Sequence, residues 1–232
     1  MADKLSTERK KDWTLDEVKE FRDRYREIVT IPVHVEVEDQ QRVYNFRQVE
    51  EFLREAETIV VEDCVCRTTL RNCDAPVHTC FMLNERAERR LRDGPGELYA
   101  AKVSLEEAME VLRRANEAGL VLMALTARNS DKPTALCNCC SCCCHAFSGL
   151  LRHGLASIVL SSDYVTEHDP AICIDCGVCA ARCHFGARRM LDGRLRFDSS
   201  KCFGCGLCES ACPPKAIKLV EKRKQLSATS SR

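Results

Sequence analysis

Apolar residues recur at helical intervals through Leu15, Val18, Phe21, Tyr25 and Ile28, and Thr14 and Glu17 ahead of them have capping-box spacing. The pattern predicts a helix from Leu15 to about Ile28. Residues 31–37 then alternate apolar and polar as a strand does, with Pro32 setting its start at an edge. Phe46, Val49, Phe52, Leu53 and Ala56 return to the helical period, and Thr58 to Val61 read as a short buried strand leading to Cys64. A second capping box, Ser104 with Glu107, opens a helix carried by Leu105, Ala108, Met109, Leu112 and Ala115 and closed near Gly119. Leu120–Thr126 follows as a strand and residues 129–133 as a loop. Phe147, Leu150 and Leu151 begin another helix, and Leu155–Leu160 has the composition of a strand.

This alternation predicts an α+β protein: a mixed α/β, cysteine-rich domain over residues 13–165 and a smaller module over 166–220, joined by a linker at 163–170. Residues 1–12 and 221–232 are charged or Ser-rich with little to pack, and read as disordered tails.

The chain of 232 residues contains 18 cysteines, and their placement matters more than their number. The polar N-terminus has no signal-peptide core, and neighbours such as Cys139–Cys140 and Cys142–Cys143–Cys144 cannot pair with one another without strain. Metal-bound thiolates in a reducing cytoplasm are the better reading. The longest apolar run, Gly119–Ala127, is too short to span a bilayer. Formal charge sums to zero, so no nucleic-acid or membrane partner follows from it.

Two runs of the form C-x2-C-x2-C-x3-C stand at Cys173, Cys176, Cys179, Cys183 and at Cys202, Cys205, Cys208, Cys212, offset throughout by 29 residues. Gly177 aligns with Gly206, Ala187 with Ala216 and Met190 with Leu219, and Asp192–Gly193 reads as a hairpin turn between the halves. Here the chain resembles the two-cluster bacterial ferredoxins. The resemblance implies two [4Fe–4S] clusters with crossed ligation: Cys173, Cys176, Cys179 and Cys212 for one, Cys202, Cys205, Cys208 and Cys183 for the other. Pro213 follows the last cysteine as the family pattern asks, whereas His184 stands at the matching place in the first run. Zinc would favour C-x2-C pairs separated by a longer gap over triples. Residues 170–220 carry eight bases and four acids, which two oxidised clusters of about −2 each would offset, so no strongly acidic docking face is expected.

Ten further cysteines lie upstream: Cys64, Cys66, Cys73 and Cys80, then Cys137, Cys139, Cys140, Cys142, Cys143 and Cys144. Their CxCR and CNCCxCCC segments resemble an N-terminal domain of multi-cluster ferredoxin-like proteins of anaerobes, which implies further iron–sulfur binding. Six thiols in eight residues cannot all face one cube. Either each group holds its own cube, the arrangement preferred here, or the groups interleave around two centres or one larger, non-cubane cluster. A structural zinc competes for the first group; zinc, free redox thiols or copper(I) compete for the second. His78 and His145 adjoin these cysteines as candidate ligands or ordinary packing residues, Trp13 reads as a packing residue, and Arg67 either compensates cluster charge or is solvated.

Two functions are expected from these features. One is a carrier relaying low-potential electrons to a redox protein partner, as a single chain or a subunit of a larger complex. The alternative is an iron–sulfur oxidoreductase whose catalytic cluster sits at the CNCCSCCC loop and is fed by the C-terminal module. No nicotinamide or flavin fingerprint, P-loop or nucleophile elbow is present, and Asp93–Gly96 is a turn, not a phosphate loop.

Overall fold

A computed structural model describes residues 11–31, 46–94, 96, 98–127, 130, 132–155, 159 and 161–222. Helix α1 (Leu15–Asp23) starts at the Thr14–Glu17 capping box. It ends five residues earlier than its apolar period suggested, because the chain turns at Arg24 into strand β1 (Tyr25–Ile31), which pairs antiparallel with β5 (Val121–Ala127). The strand expected over 31–37 lies, beyond Ile31, outside the described residues.

The central sheet has six strands in the order β1-β5-β6-β3-β2-β4, with every ladder antiparallel. Its other members are β2 (Ile59–Asp63), β3 (His78–Leu83), β4 (Ala100–Lys102) and β6 (Ala135–Cys139). Strand side chains alternate between faces. Thus Ile59, Val61, Phe81, Leu83, Leu122, Ala124 and Leu136 bury one face against α2 (Phe46–Glu55) and α5 (Leu105–Glu117). Val60, Met82, Val121, Met123, Leu125 and Ala135 supply the opposite face. There they meet Trp13, Val18, Phe147 of α6 (His145–Leu151) and, from the C-terminal region, Phe185 and Leu207. Burial on both faces explains why β5 reads as an unbroken apolar run rather than an alternating one.

Helices α3 (Val65–Leu70) and α4 (Glu85–Arg92) complete the N-terminal part. In the stretch expected as a strand at Leu155–Leu160, Leu155 and Val159 have no strand pairing, and the other positions lie outside the described residues.

The expected linker at 163–170 is instead largely strand. Residues Tyr164–His168 form β7, paired along its length with β10 (Ile217–Glu221), so this stretch is stitched into the C-terminal unit. Within that unit, α7 (Val178–Arg182) and α8 (Leu207–Ser210) flank a hairpin of β8 (Arg188–Leu191) and β9 (Arg194–Phe197). Asp192 and Gly193 both adopt positive φ, 50° and 74°, as the tight turn requires. Gly204 permits the close approach of the second cysteine loop to β7: a Cβ there would lie 2.2 Å from both Ser162 Oγ and the Tyr164 carbonyl. Among the described residues, helix and strand contents of 34% and 25% fit the α+β class.

Asp12, assigned from sequence to a loose tail, hydrogen-bonds Ser148 Oγ at 3.1 Å and Arg152 Nε at 2.8 Å. Residues 1–10 and 223–232 lie outside the described residues.

Candidate metal centres

In the C-terminal unit each triple of cysteines wraps a loop that runs into a short helix. Gly177 and Gly206, at the N-caps of α7 and α8, have φ of 76° and 75°, a left-handed turn that an L side chain would strain. One hollow is lined by Cys173, Cys176, Cys179 and, from the other run, Cys212. A second is lined by Cys183, Cys202, Cys205 and Cys208. Each cavity thus gathers three cysteines of one run with the last of the other.

Arg188 is the charged residue that sequence reasoning did not single out. It is 2% exposed, lies over the Phe197 ring at 4.2 Å, and donates from Nη2 to Thr166 Oγ1 at 2.8 Å. Its Nε and Nη1 are buried with no oxygen or nitrogen partner, and the Cys208 thiol lies beside the guanidinium. Burial pushes the Cys208 thiol up to about 11 and raises Cys179 as well, and in both cases the Arg188 charge opposes the rise. Two orphaned N–H groups beside buried thiols fit an anionic iron–sulfide group, which supplies many weak acceptors. The repeat held the signal, because Arg188 stands where the second half has Ile217.

Upstream, the ten thiols divide differently from the preferred reading. Cys73 leaves its sequence group and joins Cys140, Cys142 and Cys143, with all four sulfurs within 4.8 Å of one another. The other six form a closed ring in which each thiol contacts two others, in the order Cys64, Cys66, Cys144, Cys139, Cys137, Cys80 and back to Cys64. The two sequence groups therefore interleave.

The ring follows from the fold. Cys80 sits on β3 and Cys137 and Cys139 on β6, at alternate positions that share the face with Met82 and Ala135. Cys64 and Cys144 are the N-cap residues of α3 and α6. The residue between the alternating cysteines, Asn138, donates to the Thr79 carbonyl at 2.7 Å and fixes the strand pairing locally.

Arg67 settles between the two thiol groups. It is 1% exposed, donates from Nη1 to the Asn138 carbonyl at 2.7 Å and from Nη2 to Thr79 Oγ1. Burial works against its charge, but Cys64, Cys140, Cys139 and Cys80 outweigh burial and hold it more firmly protonated than usual. The solvated reading of Arg67 is thereby overturned. His145 places Nδ1 3.2 Å from Cys66 Sγ and stacks on Trp13 and Phe21, with burial lowering its pKa. His78 instead contacts Asp63 at 3.1 Å.

His184 joins the two halves of the chain. Its Nδ1 accepts from the Ser141 backbone N–H at 3.3 Å, which leaves the proton on Nε2, 2.7 Å from the Gly119 carbonyl. Arg182 adds a second tie, donating to the Asn116 and Glu117 carbonyls at 2.7 and 2.8 Å at the C-terminal end of α5. The departure from proline after Cys183 thus has a structural purpose: the first cysteine run is anchored to the CNCCSCCC loop through Ser141.

Among the described residues no helix is long and apolar enough to cross a membrane. No curated protein matches the chain. Residues 166–224 match a family described as a 4Fe-4S dicluster domain, from the third residue of β7 through β10, and so the chain carries an iron–sulfur domain of that kind at its C-terminal side.

Proposed function

We propose that the protein is an electron relay, accepting low-potential electrons and passing them to a partner redox protein through two [4Fe–4S] groups and an additional centre in the N-terminal part. The reading rests above all on the two C-terminal cavities, each bounded by three cysteines of one run and the last of the other. Cys173, Cys176, Cys179 and Cys212 would hold one group, and Cys183, Cys202, Cys205 and Cys208 the other. When bound, such groups supply reversible one-electron transfer. The chain's own part is to clasp them, to keep water from Cys179 and Cys208, and to set a buried cation, Arg188, beside them.

Contact with the partner is favoured at Cys176, the one exposed cysteine among the eight, flanked in sequence by exposed Ile172, Ile174 and Val178. An apolar surface with a ligand thiol near it suits a transient redox complex. At the opposite end of the relay, the ring of six thiols would hold the further iron–sulfur centre. A ring with more thiols than a cube requires also favours a second reading, a catalytic cluster at this place fed by the C-terminal pair.

Anaerobic preparations of a Cys173→Ala, Cys212→Ala double variant test the crossed clasp by electron paramagnetic resonance. Loss of one reducible [4Fe–4S] signal with the other kept supports the reading. Loss of both would mean that each run serves its own group, and the relay as drawn would fall.

A further inference from the structure

We propose that Cys73, Cys140, Cys142 and Cys143 hold a single divalent ion of the zinc and ferrous class, bound by thiolates alone and without inorganic sulfide. The spacing of the sulfurs carries the argument. Around one tetrahedral ion with metal–sulfur bonds of about 2.3 Å, neighbouring sulfurs stand about 3.8 Å apart. Around a [4Fe–4S] cube the ligands point outward from its corners, and bonds of the same length put their sulfurs about 6–7 Å apart. Cys73 and Cys140 lie at 3.7 Å, Cys142 and Cys143 at 3.8 Å, and no pair in the quartet exceeds 4.8 Å. A cube does not fit between them, whereas one ion does. Among the described residues no other three thiols, imidazoles or carboxylates come so close together, which sets this quartet apart from the C-terminal quartets and the six-thiol ring.

The surroundings are built to hold this convergence. Asn72 donates from Nδ2 to the Cys142 carbonyl at 2.9 Å and, at the same distance, to that of Lys11, which fixes the loop bearing Cys73. Trp13 Nε1 donates to the Cys143 carbonyl at 2.7 Å, and Arg152 Nη1 to the Ser141 carbonyl at 2.7 Å. With the Ser141 N–H committed to His184, the segment from Cys140 to Cys143 is held on both sides. Cys140 and Cys143 are buried while Cys73 and Cys142 are half-buried, so an ion could enter from the outer side. Four thiolates around a divalent ion carry a net charge of about −2, and Arg67 faces Cys140 with the opposite sign. Four protein ligands leave no open position, which marks a site that joins loops rather than one that binds substrate.

The inference deepens the relay reading by separating this quartet from the iron–sulfur centres, and its test reads metal content rather than electron transfer. Zinc, iron and acid-labile sulfide are measured in the full chain purified without oxygen, alongside Cys73→Ser and Cys142→Ser variants, with X-ray absorption at the metal edge. The expected result is one zinc, or one sulfide-free iron, per chain, showing metal–sulfur but no metal–metal scattering, and lost at least twofold in either variant while sulfide stays unchanged. Zinc and iron outcomes both support a mononuclear site and tell its two sources apart. Loss of about four irons together with four sulfides in the variants would overturn it, as would a metal-replete chain with this quartet free. Failure of the relay reading looks different: the C-terminal iron–sulfide signals would be missing while this ion remained.

Discussion

Arg188 shows how one residue can set the working potential of a buried redox site. A unit positive charge about 7 Å from an added electron, at an effective dielectric of about 20, is worth roughly 2 kcal/mol, or on the order of 100 mV. The two halves of the repeat differ at this position, arginine against Ile217; Arg188 lines one cavity, while its charge also reaches Cys179 of the other, so on the proposed reading the cavity it lines is expected to take the extra electron more readily. An Arg188→Met variant is expected to keep its iron and to lower one midpoint potential by tens of millivolts in an anaerobic redox titration; an unchanged pair of potentials would remove this role. His184 works on packing rather than potential. His184→Ala leaves the Gly119 carbonyl and Ser141 N–H without their partner and should cost about 2–4 kcal/mol, read as a lower unfolding temperature. The eight C-terminal cysteines were legible from sequence because their spacing is local. Arg188, Arg67 and His184 were not, because the atoms that give them meaning (Cys208, Cys140, Ser141) come from distant parts of the chain.

At the level of elements, the capped helices α1 and α5 were readable because their N-terminal signals lie within four residues. Strands β3 and β6 were not, although they matter most for the ring. Their alternate positions carry cysteines, whose pattern reads first as metal chemistry and only second as the inward face of a sheet. The same ladder explains why the two cysteine groups interleave: neighbouring strands bring Cys80 and Cys137 together more surely than sequence proximity brings Cys80 to Cys73. Gly204 exposes the tightest junction between elements. A Gly204→Ala change forces a methyl group into the Tyr164 carbonyl at a backbone φ of 67°, and should displace β7 and the Cys202–Cys208 loop together. The expected readout is iron recovery reduced at least twofold with far-ultraviolet circular dichroism of the sheet largely kept; full iron recovery would contradict this packing.

The whole molecule divides its labour between the two faces of one sheet. Helices α2 and α5 seal the first face with aliphatic side chains, and the thiol centres and C-terminal unit occupy the second. The second face therefore combines its own apolar core of Val60, Met82, Val121, Met123, Phe147 and Phe185 with the buried cysteines. Pairwise contacts link the parts: Arg67 acts on both the ring and Cys140 of the quartet, the Ser141 N–H meets His184 next to Cys183, and the Arg188 charge acts on both Cys208 and Cys179, while Cys176 is exposed. If partners meet the protein at that last position, Ile174→Glu should slow reduction by or of a redox partner several-fold in stopped-flow mixing while leaving iron content and potentials as they were.

The central claim is that the eight C-terminal cysteines clasp two [4Fe–4S] groups close enough to exchange an electron. Reductive titration of the anaerobic protein followed by low-temperature electron paramagnetic resonance tests it most directly. The account predicts two reducible [4Fe–4S] centres whose signals split through mutual magnetic coupling when both are reduced, and a single centre in the Cys173→Ala, Cys212→Ala variant. A spectrum with no reducible iron–sulfur signal, or two centres that never interact, would contradict it.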